Sequence, residues 1–385
     1  VAEFYRLRNQ AKHYDWGSPC LIPDLLGIPR DGRPYAELWM GSHPGSPSQV
    51  DLPEGAVGLG EFIGGPLPYL FKLLAAEKPL SIQAHPNLEQ AREGFDRENR
   101  EGLAQDAPNR NYRDSNHKPE IVCALTPFVG MCGFRSPAEI TRLFGGFFWD
   151  DTSSILRKGF APLLKALEAP TAESALRNFL AALFDTPPDL RDALTEFILS
   201  QRRANEREGC EWALMRDFAK QYPGDPAVVA PLYLNVFRLQ PGEAVFLQAG
   251  VLHAYIQGFA VELMANSDNV LRGGLTAKHV DVPELMKVLD FAPMDPQIMK
   301  PGPGTSSFTY PASCGEFSLT VMCDLAELAL DGPSICMVTD GEVSIEGQTL
   351  RRGESIFVPA AGPGAKPLAL HGSYVLHVAS TGKPA

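Results

Sequence analysis

Residues 239–250 read LQPGEAVFLQAG and residues 350–361 read LRRGESIFVPAA. Aligned, each gives leucine, two variable residues, Gly-Glu, a small residue, a three-residue apolar run and a turn of small residues. Either two unrelated strands share a Gly-Glu turn, or one β unit is present twice, and the length of the match favours the second reading. The copies differ where they end. The first runs on into Val251, Leu252 and His253, whereas the second continues GPGAKPLAL with no histidine, so one copy is expected to keep a polar site and the other only its scaffold.

Outward from these repeats the texture of the chain changes twice. Up to Arg135, short apolar runs are cut by glycine and proline, as in GSHPGSPSQVDLPEG, which reads as strands and turns with one helical stretch. Helix signals then dominate. Ser136, Pro137 and Glu139 have capping-box spacing with proline at the first helical position; Thr186, Pro187 and Asp189 repeat that logic, and Thr171 opens the amphipathic TAESALRNFLAALF. The β texture returns at Ala227 in VVAPLYLNVFRL, pauses for a helix at VPELMKVLDF, and resumes after the proline-rich PMDPQIMKPGPG. The expected fold is therefore mainly β with an α insert: residues 1–135 and 227–300 as one discontinuous β domain, 136–226 as a helical insert, and 301–385 as a second β domain.

Composition agrees with that division. At 385 residues the chain is long enough for two or three domains, and 35 glycines with 34 prolines supply the many turns that β domains need. A net charge of −12 argues against nucleic-acid or anionic-membrane partners, which require a basic face. No window approaches the run of about 18 apolar residues that spans a membrane. The opening VAEFYRLRNQ lacks the features of a secretory signal, and seven scattered cysteines (20, 123, 132, 210, 314, 323 and 336) without a CxxC point to free thiols and a cytoplasmic location.

Four polar residues stand out because they interrupt apolar strands. In LSIQAHP, Gln83 and His85 are two apart and share one face of a strand, with Asn87 and Gln90 placed to cap the helix that follows. In NHKPEIVCAL, Glu120 enters a buried strand, where a carboxylate must be paired, hydrogen-bonded or metal-bound. In GVLHAY, His253 opens a strand with Tyr255 on the same face, as a core histidine or as a ligand. Together, two imidazoles, a carboxylate and an amide oxygen suit a divalent transition metal, zinc above all. Downstream, VELMANSDNVLRGGLTAKH gathers Glu262, Asn266, Asp268, Asn269, Arg272, Lys278 and His279. Arg272 and Lys278 are candidates to hold an anion such as phosphate, and Glu262 or Asp268 to move a proton.

Six segments in this order, AELWMGSHP, FKLLAAEKPLSIQAHP, NHKPEI, FVGMCGFR, GVLHAYIQG and ANSDNVLRGGLTAKHVD, resemble the type I mannose-6-phosphate isomerases of the cupin superfamily. The resemblance implies two cupin-type jelly rolls, the second without metal, flanking the helical insert. It places one Zn2+ on Gln83, His85, Glu120 and His253, and the active-site arginine on Arg272. Tyr255, Glu262, Asp268 and Lys278 join it as catalytic positions, with Ser81, Lys118, Lys72 and Arg272 holding the substrate phosphate. The family's Leu-Thr-Pro-Lys is Leu-Thr-Ala-Lys here, at 275–278, and the turn before His253 is Gln-Ala-Gly where cupins commonly begin with proline. Neither departure removes a chemical group.

The implied reaction is the zinc-dependent interconversion of mannose 6-phosphate and fructose 6-phosphate, with a proton moved between C1 and C2 through a cis-enediol. Such an enzyme serves mannose metabolism and GDP-mannose biosynthesis, acts on a small-molecule sugar phosphate, and is expected to be a monomer. A non-catalytic hexose-phosphate-binding cupin and a metal cupin oxygenase are the alternatives on the same scaffold.

Overall fold

In the computed structural model, which describes residues 4–53, 55–148, 154–201, 210–330, 332–360 and 366–382, the two repeats adopt the same local structure. The last residue of the second copy, Ala361, and the four that follow it lie outside the described residues. In the first copy the Glu243 amide donates to the Gln240 carbonyl (2.9 Å) and the Gln240 amide donates to the Glu243 carboxylate (2.9 Å). In the second, the Glu354 amide donates to the Arg351 carbonyl (2.9 Å) and the Arg351 amide to the Glu354 carboxylate (2.7 Å). The glycine between them has φ 84° at Gly242 and 90° at Gly353, the conformation that the third residue of a type II turn requires. Each turn opens a four-residue strand, Ala244–Leu247 or Ser355–Val358, and a strand of 13 residues follows, His253–Ala265 or Leu368–Ser380.

The two turns differ in what surrounds them. A Cβ on Gly242 meets nothing within 4 Å, whereas one on Gly353 would lie 2.7 Å from the Leu25 carbonyl oxygen, against the helix Leu21–Leu26. Gly242→Ala should cost only the left-handed backbone penalty, about 1–2 kcal/mol, and Gly353→Ala should cost distinctly more because backbone must move. Thermal unfolding of the two variants checks this. Equal midpoints would contradict the packing of that turn.

The strands form two ten-stranded antiparallel sheets. One contains the C-terminal strands and also takes in the N-terminal strand Tyr5–Arg8, which pairs with Ser355–Val358. The other is centred on His253–Ala265, which pairs with Tyr69–Ala76, Glu120–Ala124, Phe128–Phe134 and, through His253, with Ile82–Ala84. Strand alternation then decides which residues meet. Tyr69, Phe71, Leu73, Ile121, Cys123, Phe259, Val261 and Leu263 pack against Leu319, Ile335, Met337 and Phe357 of the C-terminal sheet. The intervening residues face the opposite way, where Leu74, Ala76, Val122, Ala124 and Ala260 make an apolar interior. Lys72, Glu120 and Glu262 belong to that second face by strand period. A slip of one residue would drive their charges into the apolar junction between the sheets.

Five helices, Pro137–Phe148, Ser154–Ala166, Ala172–Phe184, Pro188–Ser200 and Glu211–Gln221, lie between the strands Phe128–Phe134 and Leu234–Leu239, which are themselves direct neighbours. Arg135 sits at the exit and return: its guanidinium donates to the Leu234 carbonyl and pairs with Glu139 and Glu211. The caps at Ser136, Thr171 and Asn87 form as the sequence predicts. The one at Thr186 does not. That helix begins one residue later, with Pro188 in its first turn, because the Thr186 hydroxyl donates back to Ala182 and completes the preceding helix. The β texture predicted from Ala227 is also displaced. Residues 226–233 make a 3-10 turn and a short helix capped by Asp225, and the strand starts at Leu234. No helix among the described residues is long and apolar enough to cross a membrane. All seven cysteines are unbridged.

Candidate metal centre

The strand Glu120–Ala124 is buried along its whole length, and the side chain at its mouth is a carboxylate with no exposure. Two imidazoles converge on it. His85 Nε2 lies 3.4 Å from Glu120 Oε2, and His253 Nε2 lies 3.0 Å from Glu120 Oε1. The ligand atoms of these three residues are all within 4.8 Å of one another.

The far side of each ring fixes its tautomer. His85 Nδ1 is 2.7 Å from the Asn269 carbonyl oxygen, and His253 Nδ1 is 2.8 Å from the Val251 carbonyl oxygen. A carbonyl oxygen only accepts, so each Nδ1 carries the hydrogen and each ring, when neutral, turns the lone pair of Nε2 towards Glu120. Burial, aided by the Lys118 ammonium, pushes the His85 imidazole down to about 4, so it stays neutral. His85 Nε2, His253 Nε2 and Glu120 Oε2 are buried without a hydrogen-bond partner. Lone pairs and a carboxylate facing one another in a dry interior repel unless a cation lies among them, and two histidines with a carboxylate fit zinc. The Tyr255 hydroxyl donates to Glu120 Oε1 at 2.8 Å and braces it. Burial, then Glu120 and Glu262, raise that phenol well above its ordinary value, so it stays a donor.

Register brings the next residues to the same face. Arg272, Gln83 and His253 stand opposite one another on three neighbouring strands, a cross-strand row that aligns their side chains. Gln83 is thus beside His253 across the strand pair. Arg272 is half-buried; burial and then the charge of Arg113 lower its pKa. Lys278 is lowered by burial, then by Arg272 and Arg113. Arg113, Arg272 and Lys278 therefore form one group of cations, and among the described residues no carboxylate pairs with any of them. Ser81 directly precedes the strand Ile82–Ala84 and is partly exposed.

Lys72 and Glu262 have a different setting. Lys72 is buried between Glu37 (3.2 Å) and Glu262, with which it is in direct contact. Burial opposes its charge, yet Glu262 and Glu37 keep it protonated. Glu262 is raised by burial and by Glu120, against the pull of Lys72. Asp268 lies nearer solvent, with its Oδ2 3.2 Å from His43 Nε2. Because His43 Nδ1 accepts from the Gly45 amide (3.0 Å), Nε2 is the donor to Asp268. Burial raises Asp268, but His43, then Lys118 and Arg113, leave it below the ordinary value. Lys118 is buried, and its charge acts on His85, Glu262 and Asp268.

Three participants were not legible as such in the sequence. His43 lies within AELWMGSHP, yet nothing in that segment pairs it with a residue 225 positions away. Arg113 resembles any loop arginine, and Glu37 resembles any strand-edge carboxylate. A signal did exist for Asn269, which stands in the densest polar stretch of the chain.

Fold and site together define a cupin protein with a buried metal centre of two histidines and a carboxylate. Residues 4–137 match the model for the phosphomannose isomerase type I catalytic domain. The mannose-6-phosphate isomerase of Salmonella typhimurium is 36% identical over 382 residues, covering 92% of this chain and 94% of that protein. The human one is 35% identical over 385 residues, covering 88% and 86%. A crystal structure of zinc-bound mannose 6-phosphate isomerase matches with a TM-score of 0.85 at 34% identity, covering 99% of this chain and 100% of that one. The chain belongs to the type I phosphomannose isomerase family.

Proposed function

We propose that the protein interconverts mannose 6-phosphate and fructose 6-phosphate, with zinc held by Gln83, His85, Glu120 and His253. The observation that carries this reading is the pairing of three orphaned, buried ligand atoms with an unpaired group of cations on the adjoining strand and loops. Bound zinc supplies Lewis-acid polarisation of the sugar oxygens at C1 and C2. All other tasks fall to the chain's own residues.

Arg113 and Lys278, more exposed than Arg272, anchor the distal phosphate. Arg272, in the row with Gln83 and His253, lies at the reacting end and stabilises negative charge as it develops on the enediolate oxygens. Lys72 serves to neutralise Glu37 and Glu262 and is not available to phosphate. That pairing also removes Glu262 from proton transfer. Asp268, ionised, near solvent and hydrogen-bonded to His43, takes the proton from C2 of the aldose and returns it to C1, through a cis-enediol. Lys118, whose charge acts on both His85 and Asp268, donates to a sugar oxygen. The helical segment 136–226 and residues 301–385 form the other two parts of a three-part chain, with the catalytic groups in 1–135 and 227–300.

A coupled assay of mannose 6-phosphate isomerisation tests the reading. Activity should be lost on chelation and restored by zinc. Hexose phosphate binding without turnover, or metal-dependent oxygen consumption, would overturn it.

A further inference from the structure

Asn269 has no solvent exposure, and every hydrogen-bonding group it owns is used. Its Oδ1 accepts from the amides of Arg113 (2.7 Å) and Asp114 (3.1 Å). Its Nδ2 donates to the carbonyls of Asp114 and Asn116, both at 2.8 Å. Its own amide donates to Ser267 Oγ (3.2 Å), and its carbonyl takes the Nδ1 hydrogen of His85 at 2.7 Å. The Asp114 carboxylate closes the same knot from the other loop, accepting from the Ser267 hydroxyl (2.9 Å) and the Asp268 amide (2.7 Å). One side chain thus ties the loop that carries Arg113 and leads to Lys118 and Glu120 onto the loop that carries Asp268 and leads to Arg272. The same residue's backbone orients a ligand histidine.

We infer that Asn269 is the positioning residue of the centre: by locking the two loops together it holds its own carbonyl where His85 must donate, and so aims His85 Nε2 at the metal. The inference rests on the zinc reading above. A carbonyl on a loop keeps its direction only if the loop is fixed, and here the fixing bonds are side-chain bonds that a single substitution removes. Partners of metal-bound histidines of this kind are worth tenfold to a hundredfold in metal affinity. Asn269→Ala removes all five loop-to-loop bonds made by the side-chain amide, including the one from Nδ2 to the Asp114 carboxylate (3.3 Å). Asn269→Asp keeps the shape and the Oδ1 acceptor but sets a carboxylate oxygen against the carbonyls of Asp114 and Asn116.

The test is zinc competition against a chromophoric chelator, run on the full chain alongside thermal unfolding, with Tyr374→Phe as a control. That control loses the buried-side hydrogen bond to Leu325 in the C-terminal sheet, far along the chain from the centre. Both Asn269 variants should raise the zinc dissociation constant about tenfold to a hundredfold, and the control should leave it unchanged. In the apo protein the slowly exchanging His85 Nδ1 hydrogen should be lost from the imidazole NMR spectrum of Asn269→Ala. A zinc constant within twofold of the parent, with only the unfolding midpoint lowered, would overturn the inference. If Asn269→Ala does not fold, Ser267→Ala is read in its place, with weakened zinc binding expected and unchanged binding decisive against. Failure of the parent itself to bind zinc would sink the functional reading instead, so the two failures are distinguishable.

Discussion

Glu120→Gln should abolish the response of the protein to zinc while leaving its fold intact. In the parent, zinc at a hundred times its dissociation constant adds about 2.7 kcal/mol to stability by mass action, and the unfolding midpoint should rise accordingly. The variant keeps the volume of Glu120 and an Oε1 that still accepts from Tyr255, but it lacks the negative ligand. Without zinc it should be as stable as the apo parent or more so. The parent confronts two imidazole lone pairs with a carboxylate, at 3.0 and 3.4 Å, whereas an amide can donate to one of them. At limiting zinc, turnover should fall on the order of a thousandfold, since metal polarisation supplies several kcal/mol of transition-state stabilisation. A zinc-induced shift in the variant equal to the parent's would remove Glu120 from the ligand set.

Arg272→Ala should be the complementary case, with zinc content intact and turnover lost. The residue lies opposite Gln83 and not among the convergent ligand atoms, so its removal leaves His85, Glu120 and His253 in place. If it stabilises charge that appears only in the transition state, kcat should fall by roughly 10²–10³ with little change in KM. If it only anchors phosphate, KM should rise while kcat is preserved. Arg113→Ala is predicted to show that second pattern. Near-normal turnover in Arg272→Ala would refute its role at the reacting end.

Much of the metal site was legible because its residues break a strong local pattern. A histidine or glutamate at the end of an apolar strand has few reasons to be there, and His85, Glu120 and His253 each stand at such an end. The repeat at 239–250 and 350–361 was legible for a similar reason. A glycine with φ near 90° and a glutamate that closes its own turn are local requirements, and local requirements leave marks in sequence. Helix ends were read less well where two prolines adjoin, since Thr186 could complete one helix or cap the next and the hydrogen bond to Ala182 settles it.

What the sequence by itself determined is the chemical inventory, the strand period that puts Lys72, Glu120 and Glu262 on one face, and the break of a mainly β chain by helices. What only the tertiary structure decided is which charges neutralise each other and which remain free. Lys72 and Lys118 look alike in the chain, yet Lys72 is held between Glu37 and Glu262 while Lys118 forms no ion pair among the described residues and its charge acts on Asp268. The physical reason is distance along the chain. Glu262 is 190 residues from Lys72, Asn269 is 184 from His85, and Asp268 is 225 from His43, so no local periodicity can encode those pairings. They arise when antiparallel register and loop closure bring the strands together, and a charge's partner, once water is excluded, decides whether it holds the fold or serves the reaction.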